Sequence, residues 1–275
     1  VTLPRWMRSS VYKGYSALFG CNLDEVEGEL EDFANLGEFF TRRLKEGARP
    51  ICMDPNALAS PVDGRILCFG KLIEDDGDII EQVKGVRYKL SALLGERNAS
   101  YLADVAANAA AQSPRRDLYH CIIYLAPGDY HGYHSPVDMV IKERLHIPGY
   151  MMSVSTFIVP KIPGLFALNE RIVLRGEWGH GFFAYCPVAA TNVGNMTLDF
   201  DDAVVTNRSS QSHRSAVSHK SYQNQGGIRK KRGDMIGFFR LGSTVVMLFE
   251  SPSFRFSVEP GQKVQLGEKL GSIVQ

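Results

Sequence analysis

The chain has 275 residues, of which 44% are hydrophobic, and its formal net charge at pH 7 is +1. At roughly 100–200 residues per domain, this length allows one large domain or two small ones around a sizeable core. The near-neutral charge gives no argument for nucleic acid as a partner, and only local basic patches favour an anionic surface. No apolar run approaches the roughly 20 residues of a membrane-spanning helix, so we expect a protein that is soluble or lies on a membrane.

The cysteines and the first residue limit the class of protein further. Five cysteines, an odd number without any Cys-x-x-Cys pair, argue against a disulfide framework and against a cysteine zinc site. Since the chain begins at Val1 rather than Met, we expect that an N-terminal piece has been removed or left out and that any targeting segment lies outside these residues.

The first 50 residues predict helical structure. Residues 1–20 mix aromatic and basic side chains, a pattern typical either of a membrane–water boundary or of a helix packed on the body of the protein. Residues 25–45 predict a helix, because apolar side chains recur at helical spacing, with an internal restart capped at Asn35. Gly47 and Pro50 then end it. We therefore assign residues 1–50 to an N-terminal helical segment that is a candidate for membrane contact.

The rest of the chain is predicted to be mostly β. From Ser60 onward, short apolar runs are separated by Gly, Asp and Pro turns, which favours a β-rich catalytic domain over residues 51–275. The almost wholly apolar run 118–125 predicts a strand buried on both faces. The alanine-rich stretch 99–113 is interpreted as a short helix or a loose insertion, and the polar stretch 207–227 predicts a long loop.

Glycine-containing turns repeat near the end of the chain. Residues 231–237 and 260–271 share a Gly-polar turn before an apolar residue and a further glycine, and residues 60–66 fit the same architecture. This rhythm resembles the hairpins of lipoyl and biotinyl carrier domains, but no Met-Lys-Met motif for a swinging arm is present. The sequence therefore predicts an α+β fold, mostly β, with the N-terminal helical segment packed on a β core that contains these hairpin elements.

The first candidate for chemistry is Ser243, which follows Gly242 just before an apolar run. Because glycine has no Cβ, its carbonyl is open to attack by the serine hydroxyl, which converts the amide to an ester. Loss of the serine α-proton and β-elimination then cut the chain, and the resulting dehydroalanine hydrolyses to a pyruvoyl ketone and ammonia. Such a ketone can condense with an amine and act as an electron sink. A lone Gly-Ser pair is far more often a plain turn, so this motif needs support from other residues.

Two histidines and an aspartate are the other candidates. His131 and His134 follow the buried strand and can exchange protons near neutral pH, although structural roles are the alternative. A metal would need a third ligand, and no H-E-x-x-H frame is present, so we predict no metal. Asp63 lies in an Asp-Gly pair, which is either a turn or a group that orients a histidine. A triad of Asp63, His134 and Ser243 without a G-x-S-x-G elbow suits a single use on the chain's own backbone better than a hydrolase.

Five short motifs, taken together, resemble the phosphatidylserine decarboxylases of bacteria and mitochondria. They extend from about residue 35 to the C-terminus, and their order and number make the resemblance specific. The motifs are FFTRRLK at 39–45 with Arg49-Pro50, SPVDGR at 60–65, YLAPGDYHGYHSP at 124–136, Asn169-Glu170-Arg171, and LGST at 241–244.

The resemblance implies a proenzyme that cuts itself between Gly242 and Ser243. The larger fragment, residues 1–242, would be the β chain, and the smaller, residues 243–275, the α chain, and the two would stay associated. Asp63, His134 and Ser243 would form the self-cleavage triad, and His131 would serve decarboxylation. The cofactor would be a pyruvoyl group made from Ser243.

The implied reaction converts phosphatidylserine in a membrane to phosphatidylethanolamine and carbon dioxide. The N-terminus and the apolar segment 150–159 are candidate routes from the bilayer, with core packing as the alternative for the second. Arg171 is a candidate ligand for the headgroup phosphate, although a structural pair with Glu170 is equally consistent. Similarity to eukaryotic members of the family implies a location at the mitochondrial inner membrane. Whether the chain forms a homo-oligomer stays open.

Three other interpretations of the residues stay open. A Ser/His/Asp hydrolase would use the same side chains without self-cleavage and would remain one chain. A non-catalytic relative would bind phosphatidylserine vesicles and release no carbon dioxide. A pyruvoyl enzyme acting on a free amino acid would need no membrane surface.

Overall fold

The computed structural model describes residues 2–72, 79–83, 86–95, 107, 111, 115–191, 195–204, 206–207, 216–240 and 243–274. Most of the alanine-rich stretch, part of the polar stretch and the pair Leu241-Gly242 lie outside the described residues. The helices are α1 (Arg5–Phe19), α2 (Leu36–Phe40), α3 (Leu90–Leu94) and α4 (Leu165–Leu168), with 3-10 turns at Leu30–Asp32, Val159–Lys161 and Gln223–Gln225. The strands in chain order are β1 (Ala57–Ala59), β2 (Gly64–Lys71), β3 (Ile79–Val83), β4 (Val86–Lys89), β5 (Asp117–Leu125), β6 (Gly132–His134), β7 (Met139–Ile147), β8 (Arg171–Trp178), β9 (Gly181–Val188), β10 (Met196–Leu198), β11 (Ser218–Ser221), β12 (Ile228–Lys230), β13 (Met235–Phe239), β14 (Ser243–Ser251), β15 (Phe254–Phe256), β16 (Lys263–Val264) and β17 (Lys269–Ile273).

A large antiparallel sheet organises the described strands. Its spatial order is β11–β7–β8–β9–β14–β5–β2–β16, and β12 also pairs with β7. Two smaller sheets, β1–β17–β15 and β10–β13–β6, and the β3–β4 hairpin accompany it. The prediction of an α+β, mostly β fold is therefore confirmed, while the division of the chain at residue 50 stays a prediction.

The central strands match the apolar runs of the sequence. Strand β5 lies between β14 and β2 and is buried along nearly its whole length, which confirms the prediction for residues 118–125. Strand β14 is buried at every position and pairs with β5 on one side and with β9 on the other. Burial of such continuous apolar strands on both faces supplies the dominant favourable contribution to folding.

The prediction of a helix over residues 25–45 with a restart at Asn35 holds only for α2, and it is wrong for the rest of the segment. The segment contains the 3-10 turn Leu30–Asp32 and the short helix α2, and Gly28 has a φ of +82°. That φ lies in the left-handed region, which a right-handed helix cannot contain. Val26 pairs instead with Leu44 in an isolated antiparallel bridge, so apolar spacing here reflects a folded-back loop.

Two other local predictions have different outcomes. Asn35 caps α2 as predicted, because its side chain accepts a hydrogen bond of 3.0 Å from the backbone N–H of Glu38. The polar stretch 207–227 is not a loop throughout, since it contains the strand β11 on the edge of the large sheet. All four residues of β11 are exposed, so its polar composition suits an edge strand as well as a loop.

Helix α1 packs along one face and exposes the other. Tyr12 is buried, its ring stacks on Phe39 at 4.6 Å, and its hydroxyl donates to the Phe33 carbonyl at 2.7 Å. Trp6 and Leu18 are 81% and 76% exposed. One side of the helix therefore packs on the body of the protein, as one of the two interpretations predicts. The other side exposes apolar side chains to solvent. No helix in the described part of the chain is long and apolar enough to cross a membrane.

The register of the large sheet brings the candidate residues to one end. Arg171, the first residue of β8, pairs with Val188, the last residue of β9, and Val188 also pairs with Thr244. The neighbouring Ser243 pairs with Leu125, the last residue of β5. The loops that follow β5 and β9 and the start of β14 therefore meet. We call this place the Ser243 end of the sheet.

Candidate active site

Ser243 begins β14 inside the core. It is 0% exposed, and its Oγ has no hydrogen-bond partner among the described residues. Leaving a buried hydroxyl without a partner costs about 1–3 kcal/mol. Several other buried polar atoms of the described residues, Thr244 Oγ1 among them, also lack a partner, and Ser243 Oγ is the one that belongs to the candidate nucleophile.

His131 lies in the loop between β5 and β6 and is fully buried. Its Nδ1 donates to the Asp129 carbonyl at 2.8 Å, because a carbonyl oxygen can only accept. This bond fixes the proton on Nδ1 and leaves the lone pair on Nε2, which has no partner in the described structure. Burial lowers the pKa of His131 from 6.5 to about 3. The imidazole is therefore neutral, and burial disfavours its protonation at Nε2.

The loop that carries His131 is held by the N-terminal segment. Arg42 is buried and its Nη2 donates to the Gly128 carbonyl at 3.0 Å. The Phe40 ring lies against the His131 ring, with centroids 4.0 Å apart. A Cβ at Gly128 would overlap the Phe19 carbonyl oxygen, so only glycine allows the end of α1 to approach this loop. The FFTRRLK motif contains Phe40 and Arg42, yet sequence reasoning gave neither of them a role.

His134 lies at the end of β6, and a backbone carbonyl orients its imidazole ring. Its Nδ1 donates to the Gly233 carbonyl at 2.8 Å, and its Nε2 lies 3.2 Å from the Tyr130 hydroxyl, which donates to it. Burial lowers the pKa of His134, while the Gly233 carbonyl and the negative charge of Asp63 act against this lowering. His134 thus has the tautomer that a general base needs, with Tyr130 covering the accepting nitrogen.

Asp63 is close enough to act on His134 by charge but does not hydrogen-bond to it in the described structure. Its carboxylate accepts from Arg49 Nε at 2.9 Å and Nη2 at 2.6 Å, and from the Leu266 backbone N–H at 2.8 Å. Arg49 also pairs with Glu25 at 2.9 Å. The structure therefore brings Asp63, His134 and Ser243 to one region without a hydrogen-bonded relay. Arg49 is a partner that sequence reasoning missed, although it belongs to a quoted motif.

A cleft of about 370 Å³ opens beside His134. It lies between the N-terminal segment and the loops around β6 and β13, and basic side chains form part of its wall. Its lining includes Arg43, Lys45, Arg49, Tyr130, His134 and Leu266.

Arg171 lies at the Ser243 end but is enclosed. Its guanidinium donates to the backbone carbonyls of Leu93, Ala167, Asn169 and Ala92 at 2.6 to 3.0 Å. It is 4% exposed. These contacts favour a structural role, because binding a phosphate would leave several buried carbonyls without a donor.

The two residues before Arg171 connect other loops. Asn169 accepts from the Met152 N–H at 3.0 Å and donates to the carbonyls of Met152 and Ala189 at 2.8 Å. Glu170 accepts hydrogen bonds from His146 Nε2 at 2.8 Å and from the backbone N–H of Asn207. The hydrogen bonds of Glu170 therefore go to residues other than its neighbour Arg171. Asn169 holds the apolar segment 150–159 beside the loop that follows β9.

Taken together, the fold and this centre define a β-rich protein with a buried serine and two neutral histidines at the end of its main sheet. The model of the phosphatidylserine decarboxylase family matches residues 36–272. The chain belongs to the phosphatidylserine decarboxylase family.

Curated relatives agree with this assignment. The chain is 43% identical over 285 residues to "Phosphatidylserine decarboxylase proenzyme, mitochondrial" of Rattus norvegicus, which covers 99% of this chain and 69% of the relative. It is 37% identical over 349 residues to the mitochondrial proenzyme 1 of Saccharomyces cerevisiae, covering 99% and 70%. It is 35% identical over 311 residues to the corresponding proenzyme 1 of Arabidopsis thaliana, covering 98% and 68%. The resemblance drawn from the short motifs is therefore confirmed at the level of the family.

Proposed function

We propose that this chain, a phosphatidylserine decarboxylase by family, makes its own carbonyl cofactor by breaking the bond between Gly242 and Ser243. The observation that carries the proposal is the buried, unpartnered Oγ of Ser243 at the end of the sheet where His131 and His134 also lie. The product of its activity is phosphatidylethanolamine, with carbon dioxide released.

Self-cleavage begins with Ser243 Oγ attacking the Gly242 carbonyl carbon. His134 Nε2 takes the hydroxyl proton when Tyr130 moves aside, and returns it to the backbone nitrogen as the C–N bond breaks. The negative charge of Asp63 stabilises the charged form of His134. Removal of the Ser243 α-proton then expels Gly242 as a carboxylate, and one water converts the remaining dehydroalanine to a ketone with loss of ammonia.

The burial of residue 243 also suits decarboxylation. The pyruvoyl carbonyl would supply a sink for the electron pair that stays on the substrate carbon when the C–CO₂ bond breaks. A water-poor site favours loss of the carboxylate, because water stabilises that charge more than the delocalised transition state.

His131 performs the proton transfer of this step. The substrate carbon must gain a proton after carbon dioxide has left, and Nε2 of His131 is the group that delivers it. The lowered pKa makes the protonated His131 a strong acid for this transfer. Each turnover takes up one proton from solvent, because a C–H bond replaces the lost carboxylate.

The lipid substrate requires contact with a membrane at the Ser243 end. Tyr15 of α1 donates to the Pro127 carbonyl at 2.8 Å, so the packed side of α1 borders the His131 loop, while Trp6 and Leu18 of the same helix are exposed. Phe157 of the segment 150–159 is 69% exposed. These two apolar surfaces are the candidate membrane contacts, and the names of the relatives support a mitochondrial location.

The two fragments stay associated after cleavage. Strand β14 begins at the new end and keeps its hydrogen bonds to β5 and β9 along its length. Separation would expose an apolar strand that is buried at every position.

The test is the mass of the purified protein together with its activity on phosphatidylserine vesicles. The wild type should give fragments 1–242 and 243–275 and should release carbon dioxide, whereas Ser243→Ala should remain one inactive chain. Turnover by an uncut wild-type chain would refute the cofactor. Lipid binding without carbon dioxide would favour the non-catalytic relative, and equal turnover of free serine would refute the lipid substrate.

A further inference from the structure

The cleft beside His134 has a basic rim whose members differ in how they are paired. The Arg49 guanidinium is compensated by Asp63 and Glu25. Lys45 Nζ donates to the Asp24 carbonyl at 2.8 Å and keeps its charge. Glu27 lines the same cleft and offsets one positive charge, so Arg43 and Lys45 together leave a small net positive charge at its mouth.

Arg43 is the rim residue with a free guanidinium. It is exposed, and no hydrogen bond or ion pair engages its side chain within the described residues. Burial raises the pKa of the Tyr130 hydroxyl, and the nearby charges of Asp63 and Arg43 act on that pKa in opposite directions. Arg43 and Tyr130, whose hydroxyl covers His134 Nε2, line the same cleft.

Arg42, the residue before Arg43, has a different environment. Arg42 is buried and uses its guanidinium on the carbonyls of the loop that carries His131. Arg43 points to the other side of the chain and lines the cleft. One arginine of the FFTRRLK motif is thus committed to the fold, and the other is available to a ligand.

The chemistry of Arg43 selects the class of ligand. A guanidinium presents planar donors that match two oxygens of a phosphate, and such charge-assisted pairs are among the stronger hydrogen bonds in proteins. The cleft volume of about 370 Å³ lies within the range of roughly 300–1,000 Å³ that ligand sites occupy. His134 in the same wall places such a ligand next to the reaction centre.

We propose that this cleft binds the anionic phosphodiester of the substrate headgroup, with Arg43 as its principal ligand. This inference rests on the proposed function, since it assigns a subsite of the same centre. It places the specificity for the headgroup in the N-terminal segment and gives no role in phosphate binding to Arg171. Self-cleavage needs no phosphate, so Arg43 serves substrate binding alone.

The test uses glycerophosphoserine as a soluble probe and titration calorimetry on the uncut Ser243→Ala chain. Adding Arg43→Ala should weaken binding about tenfold or more, and Arg43→Lys should recover part of the loss. Arg255→Ala is the matched control, because Arg255 is also exposed and also carries one positive charge. Equal binding by the Arg43 and Arg255 variants would overturn the proposal.

Three further arms identify the source of the phosphate and the step affected. Arg43→Ala in the cleavable chain should be cut normally and should raise KM for phosphatidylserine about tenfold with kcat little changed. A loss seen only on vesicles, with glycerophosphoserine binding intact, would overturn the assignment in favour of a membrane contact. Inorganic phosphate competing as well as glycerophosphoserine would overturn it in favour of a free-phosphate site.

These outcomes are separable from those of the proposed function. The calorimetric arm does not depend on formation of the cofactor, since the chain used in it cannot be cut. A wild-type protein that releases no carbon dioxide would refute the proposed function, while the difference between the Arg43 and Arg255 variants would still decide the phosphodiester site.

Discussion

Replacing Arg42 by methionine tests whether the N-terminal segment holds the His131 loop. Of the contacts made by the guanidinium, the one to the Gly128 carbonyl is 3.0 Å long, while those to Asp129 and Phe39 are 3.4 and 3.5 Å and therefore weaker. The guanidinium also lies 5.1 Å from the centre of the Phe39 ring. Loss of one good charge-assisted bond and one cation–π contact should cost about 2–4 kcal/mol.

Thermal unfolding in the Ser243→Ala background measures this cost, because every variant is then a single uncut chain. At roughly 2–4 °C per kcal/mol for a domain of 150–250 residues, Arg42→Met should lower Tm by several degrees. Arg43→Met is the matched control, since it removes the same charge from an exposed side chain. Equal Tm values for the two variants would refute the role given to Arg42.

A second measurement separates a specific effect on His131 from a loss of stability alone. Burial is the main cause of the lowered pKa of His131, and the positive charge of Arg42 lowers it further. Removing that charge should therefore raise the pKa. The imidazole of His131 should titrate at higher pH in Arg42→Met than in Arg43→Met when followed by NMR, and coincident titrations would contradict the expected coupling.

Two remaining predictions concern the loops and the pH dependence of stability. Asn169→Ala removes three hydrogen bonds, to Met152 and Ala189, and should lower the free energy of unfolding by about 2–4 kcal/mol in urea titrations, with a loss below about 0.5 kcal/mol contradicting it. Because the pKa of His131 falls from 6.5 unfolded to about 3 folded, the unfolded chain binds the extra proton and stability should be lost as pH falls from 6.5 towards 3. His131→Asn should show a shallower loss over this interval, and parallel curves for the two proteins would exclude the contribution.

Local signals were sufficient for the strands at the centre of the fold. The apolar run 118–125 identifies β5 because a strand buried on both faces needs no polar alternation. The same kind of signal misled at residues 25–45, where apolar spacing suits a helix but Gly28 has a positive φ and Val26 pairs with Leu44. Spacing reports which side chains are buried, and the partner that buries them is set by the tertiary fold.

The site shows the same limit. Motifs drew attention to Asp63 and His134, but their hydrogen-bond partners could not be predicted from them. Asp63 is held by Arg49, 14 residues away, and His134 by the carbonyl of Gly233, 99 residues away. A carbonyl carries no side-chain signal, and a salt bridge between separate loops depends on how the loops meet, so both partners become visible only in three dimensions.

The placement of Ser243 also bears on the alternative of a hydrolase. A hydrolase must admit water to its acylated serine in every turnover, whereas Ser243 is 0% exposed and begins a strand paired on both sides. In the proposed self-cleavage the Ser243 hydroxyl attacks its own backbone, so the uncut chain needs no path from outside to this hydroxyl. Each later turnover would still release one water when the substrate amine condenses with the ketone and take one up when the product leaves. Burial of the serine in the uncut chain therefore fits the proposed self-cleavage better than a hydrolase, and the pairing of β14 with β5 and β9 would keep fragment 243–275 in place.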